Sequence, residues 1–129
     1  MISSGAHWRR NWIPSAYAAC LLGATFTHAS TVWTHGLLWD YGGVARGTQV
    51  FWTSLTFLDP LAVVLLLVKP RAGLVLAFAI ILVDVVHNTW FGVQHGEPLS
   101  AAGWMYYSQV GFLIFVVVTF RSAWREAGT

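Results

Sequence analysis

Four stretches, at about 14–38, 49–68, 72–93 and 101–120, are almost free of charge, and each is close to the length that crosses a membrane as a helix. A helix rises about 1.5 Å per residue, so roughly 20 residues span about 30 Å of hydrocarbon. Turn chemistry separates the stretches: Asp40-Tyr41-Gly42-Gly43, then Lys69-Pro70-Arg71, then Gly96-Glu97-Pro98. At 129 residues the chain has room for one domain. It is 57% hydrophobic and 9% charged, whereas a soluble domain carries about 25% charged residues. The expected fold is all-α, an integral membrane four-helix bundle over 1–129.

Basic residues set the expected orientation. Arg9, Arg10, Lys69, Arg71, Arg121 and Arg125 fall on one side of the four spans, and Arg46 alone falls on the other. The positive-inside bias then puts both termini and the middle loop in the cytoplasm. Arg9-Arg10 before an apolar run resembles a targeting signal, but the run is too long for a signal-peptide core, so it reads as a retained first span. The membrane is a bacterial inner membrane or the endoplasmic reticulum, since both carry the same charge rule. The net charge of +2 is too small, and too concentrated at segment ends, to suggest nucleic-acid binding. Cys20 is the sole cysteine, which excludes an internal disulfide and a haem-attachment motif.

Polar residues inside the spans crowd into one half. Running span 1 outward puts His35 roughly 5 Å and His28 roughly 15 Å below the outer boundary. Span 2 runs inward and puts Ser54 and Asp59 roughly 8 and 15 Å down. Span 3 puts His87 and Asp84 roughly 9 and 14 Å down. Tyr106 and Gln109 lie in the outer half of span 4. Helical faces agree with depth. Thr27, His28, Thr31, Thr34 and His35 form one stripe. Thr53, Thr56, Asp59 and Pro60 share a side of span 2, and Asp84, His87 and Asn88 share one of span 3. These stripes should turn inward, because an unsatisfied polar group in hydrocarbon costs several kcal/mol. The expectation is one polar, partly aromatic cavity in the non-cytoplasmic half.

Two intramembrane acids sharpen that expectation. Each Asp at a helix centre costs about 2.5–3.5 kcal/mol on insertion scales and is a functional candidate by default. Pro60 frees the carbonyl of Thr56, so span 2 should bend beside Asp59. Asp84 and His87 can meet on one helix face and pass a proton or hold a ligand; their plainer role is an interhelical staple with Asn88. His28 and His35 are roughly 10 Å apart along the axis and cannot grip one metal ion together. A metal site would need His87 or an Asp from another helix, and a bis-His haem joining His28 and His87 is the lesser alternative; the expectation is no metal and no cofactor. Residues such as Trp52, Trp90, Tyr106 and Tyr107 more often pack or anchor than bind.

The stretch from Phe51 to Trp90, FWTSLTFLDPLAVVLLLVKPRAGLVLAFAIILVDVVHNTW, resembles the second and third helices of the EXPERA family, which includes emopamil-binding protein and the sigma-2 receptor. The shared elements are a mid-helix proline (Pro60), a short basic turn, and Val86-His87 followed by a polar pair. Thr27-His28 is similar to a Ser-His pair in the family's first helix, and span 4 has a tyrosine-rich start and an Arg-Ser end. Ser54 stands where the family usually has a Glu, His35 and Asp40 stand near an acid expected late in span 1, and the first loop is shorter. The resemblance implies a four-helix fold with a ligand pocket, and places His28, Asp59, His87 and Trp90 near it.

The leading expectation is a pocket for a hydrophobic or amphipathic small molecule such as a terpenoid, sterol-like compound or lipid. Asp59, Asp84 and His87 are the candidates for proton or charge chemistry. His28, His35, Ser54, Thr56, Asn88, Trp90, Tyr106 and Gln109 are the candidates for binding. Two alternatives stay open: an isoprenoid isomerase or cyclase working by Asp/His proton transfer, and a non-catalytic subunit or assembly factor. The partners are membrane lipids and the ligand, with no nucleic acid; homo-oligomers remain open.

Overall fold

A computed structural model describes the backbone of residues 4–96 and 103–128, and side chains from residue 12 onward within those ranges. Among the described residues the chain is all-helical, with four helices: α1 (Ser4–His35), α2 (Arg46–Val68), α3 (Pro70–Gln94) and α4 (Gly103–Glu126). Helices α2, α3 and α4 are long and apolar enough to cross a membrane. Helix α1 is longer but more polar, because its second half carries Thr25, Thr27, His28, Ser30, Thr31, Thr34 and His35. Consecutive helices pack on one another, and α1 also meets α3 and α4.

The turns explain where helices stop. Gly36, with φ of +87°, ends α1 three residues before the expected edge of the first span. Gly42 donates its N–H to Asp40 Oδ1 at 3.1 Å, and Gly43 and Val44 donate theirs to Asp40 O at 2.9 Å. Between α2 and α3 only Lys69 is non-helical, and Pro70 opens α3, where its missing N–H costs nothing. Gly73 makes this hinge close: a Cβ there would stand 2.7 Å from Leu66 Cα. Pro60 sits inside α2, and the helix runs on to Val68. Glu97 and Pro98 lie outside the described residues.

The apolar core occupies the half of the molecule away from the α1–α2 loop. Tyr17, Leu21, Leu55, Ala62, Leu66, Leu74, Ala77 and Val116 are buried there. Tyr17 fixes α1 to α4: its hydroxyl donates to Val116 O at 3.2 Å and meets Thr119 Oγ1 at 2.7 Å, with Phe112 and Phe115 edge-on to the ring. The outer surface is apolar too. Phe26, Trp33, Leu67, Val68, Ile114, Val117 and Val118 are all more than half exposed. A water-soluble monomer rarely shows so continuous an apolar coat.

Candidate functional site

A cavity of about 600 Å³ opens at the end of the molecule that holds the α1–α2 loop. Helix α1 contributes Thr27, His28 and Thr31, α2 contributes Trp52, and α3 contributes Asp84, Asn88, Phe91 and Gly92. Met105, Tyr106 and Gln109 of α4 and Tyr41–Val44 of the loop complete its lining with His95. Thus the stripes on α1, α3 and α4 do converge, each supplying residues one turn apart along a single face.

Asn88 is the hub of the polar network. Trp52 donates its indole N–H to Asn88 Oδ1 at 3.0 Å. Asn88 Nδ2 donates to Asp84 Oδ1 at 3.0 Å and to Gln109 Oε1 at 2.9 Å. The polarity of this network is forced. An indole nitrogen can only donate, so Asn88 must turn its oxygen to Trp52. Its nitrogen then faces the other two residues, and Gln109 must offer oxygen in return. Asn88 therefore spends both amide hydrogens, and α2, α3 and α4 are tied at one point. Beside it, Thr89 Oγ1 and Tyr106 O–H share a hydrogen bond of 2.8 Å.

Asp59 lies beneath the cavity and is only 2% exposed. His28 Nε2 stands 3.8 Å from Asp59 Oδ2, which makes His28 the group between that carboxyl and the cavity. One imidazole and one carboxyl group, His28 of α1 and Asp84 of α3, thus line the cavity, while the Asp59 carboxyl of α2, a sequence candidate, is buried behind His28 and does not line it. Thr27 and Thr31 spend their hydroxyl hydrogens on Gly23 O and Thr27 O, at 3.2 Å each, and so present only lone pairs.

Other sequence candidates lie elsewhere. His87 does not line the cavity; its ring packs against Phe51 at 4.6 Å and Trp90 at 5.6 Å, and its buried Nε2 has no hydrogen-bond partner among the described residues. Trp90 is half exposed on the outer surface. Ser54 donates to Phe51 O at 2.6 Å, within its own helix, and Thr56 Oγ1 is buried without a partner among the described residues. His35 is exposed and stacks on Trp39 at 3.7 Å.

The lining also includes groups the sequence reading did not assign to a site. Tyr41 reaches back from the loop to meet Trp52, with ring centroids 4.7 Å apart, and Trp39 stands 4.7 Å from Tyr41 on its other side. Leu38 and Tyr41 both hold left-handed backbone, with φ of +56° and +49°. Non-glycine residues adopt that region at a cost, and such outliers gather at functional sites. The signal for this lid was the Asp-Tyr-Gly-Gly turn, which marks a loop without saying where the loop lands. Among known proteins, no family model, no curated protein and no solved structure matches the chain.

Proposed function

We propose that the chain is a multi-pass membrane protein, a four-helix bundle with both termini in the cytoplasm, whose outer-half cavity binds a hydrophobic or amphipathic small molecule. The observation that carries this reading is the cavity itself, where His28, Asp84, Asn88, Tyr106 and Gln109 meet between aromatic walls. Its size, about 600 Å³, is in the range of pockets that enclose small ligands. The apolar outer surface and the three long apolar helices support membrane insertion, and the clustering of Lys and Arg supports the orientation. Relationship to the EXPERA family remains part of the proposal and rests on the order of the motifs between Phe51 and Trp90.

Ligand binding is tested by native mass spectrometry of gently extracted protein. A co-purifying small molecule in the wild type, lost from the Asp59→Asn, Asp84→Asn double variant while the variant remains monodisperse, is the expected result. Full retention by that variant defeats the site assignment. Orientation is tested by reporter fusions at the C terminus and in the α1–α2 loop, which should report opposite sides of the membrane.

A catalytic reading is favoured by one observation, the 3.8 Å pairing of His28 with Asp59. Proton transfer in an isoprenoid isomerase or cyclase needs an acid and a base that reach the same substrate. His28 with the two acids meets that need better than His87, which faces Phe51 and Trp90. Turnover of candidate lipids by purified protein, abolished in His28→Ala, distinguishes this reading from binding alone.

A further inference from the structure

We infer that the cavity recognises the ring of an isoprenoid quinone or its quinol, with Gln109 donating to a ring oxygen and Asp84 accepting from the reduced form. This inference rests on the cavity reading proposed above and adds the chemical class of the ligand.

The hydrogen-bond inventory narrows that class. Asn88 has no hydrogen left to give, and the Trp52 N–H is taken. Gln109 turns its oxygen to Asn88, so its amide nitrogen keeps both hydrogens, with no partner for them among the described residues. Asp84 uses Oδ1 to receive Asn88, and its Oδ2 accepts no hydrogen bond among the described residues. Both residues line the cavity. A ligand therefore meets a neutral donor beside an acceptor.

Three ligand chemistries fit this inventory poorly. A phosphate or carboxylate head would find no Lys or Arg in the lining among the described residues, and would face the Asp84 carboxyl. A pure hydrocarbon would cover Gln109 and Asp84 without satisfying either, a loss for each buried group. An aliphatic alcohol brings one oxygen and no flat surface to a site walled by rings. Trp52 stands 5.2 Å from Phe91 and 4.7 Å from Tyr41, measured between ring centroids, and Tyr106 faces the same space. These rings brace one another edge-on, and their remaining surface in the cavity can take a further aromatic ring in offset or edge-on contact. A quinone head is planar, uncharged and bears oxygens on its rim.

The test uses the full chain in lipid nanodiscs and a short-tailed quinone, followed by tryptophan quenching against empty discs. Saturable binding at one quinone per chain is expected. Gln109→Met should weaken it about tenfold, the effect of losing roughly one hydrogen bond. Tyr107→Phe, on the exposed side of α4, should leave it unchanged. Should Gln109→Met fail to fold, infrared spectra of isotope-labelled quinone on the wild type give the same answer, because a bound donor lowers the carbonyl stretch. An unshifted carbonyl, or equal affinity in a folded Gln109→Met, overturns the inference. A prenyl alcohol or a cationic amphiphile of equal tail length that binds more tightly overturns the quinone assignment but leaves the cavity reading standing. If nothing tested binds saturably and native mass spectrometry shows no ligand, both readings fail.

Discussion

The indole of Trp52 fixes which way the amide of Gln109 faces, although the two side chains are joined only through Asn88. A donor that cannot accept sets the polarity of the chain of hydrogen bonds behind it. This makes Asn88 a position where one substitution breaks three hydrogen bonds at once. Asn88→Leu strands the Trp52 N–H and removes the donor to Asp84 and Gln109, and should destabilise by about 2–4 kcal/mol. Trp52→Phe removes one hydrogen bond and should cost less. Thermal unfolding in detergent checks the order, and an Asn88→Leu protein as stable as the wild type refutes the network's role.

Tyr17 does at the other end of the molecule what Asn88 does at the cavity. Tyr17→Phe loses the contacts to Val116 O and Thr119 Oγ1 and should cost about 0.5–1.5 kcal/mol. Tyr17→Ala also empties a fully buried site and should cost about 3–5 kcal/mol. Neither change should alter ligand binding in the variants that fold, because Tyr17 does not line the cavity. A binding assay on Tyr17→Phe checks that separation.

Glycines of the same chain should respond in opposite ways. Gly73→Ala forces a methyl against the Leu66 backbone, which cannot rotate away, and should cost about 1–3 kcal/mol. Gly111 has nothing within 4 Å of an added Cβ, so Gly111→Ala should be neutral or stabilise by up to about 1 kcal/mol. Paired melting curves decide between packing at the hinge and a general sensitivity to substitution.

Much of this arrangement was legible in the sequence. Period and depth brought His28, Asp84, Asn88, Tyr106 and Gln109 to one place. His87 shows where such reasoning ends. Asp84, His87 and Asn88 sit at i, i+3 and i+4, a stripe about 100° wide on a helix of 3.6 residues per turn. Packing rotates α3 so that the Asp84 and Asn88 edge faces the cavity and the His87 edge faces Phe51 on α2. Rotation within a stripe depends on neighbouring side chains, and periodicity carries no trace of it. The lid escaped for another reason. Leu38 and Tyr41 hold left-handed backbone, which no local rule assigns to leucine or tyrosine.

That lid has a pH dependence of known sign. Burial between the loop and Trp52 pushes the Tyr41 phenol above its ordinary value of 10.0. The folded state then holds its proton more tightly than the unfolded chain does. Its contribution is complete below pH 10.0 and is lost as pH rises through the folded value, because the unfolded state deprotonates first. Difference titration of tyrosinate absorbance between wild type and Tyr41→Phe should place this group's midpoint above 10.0. A midpoint at or below that value contradicts the packed lid.

The single-residue hinge at Lys69 has a consequence for how the chain is assembled. With only Lys69 between them and Gly73 seated on Leu66, α2 and α3 would, on the proposed multi-pass reading, have no slack with which to enter a bilayer separately. They should pass through the insertion machinery as one preformed hairpin, with Lys69 and Arg71 held back at its closed end. Lengthening that hinge with a flexible insert would therefore disturb biogenesis before it disturbed the finished protein.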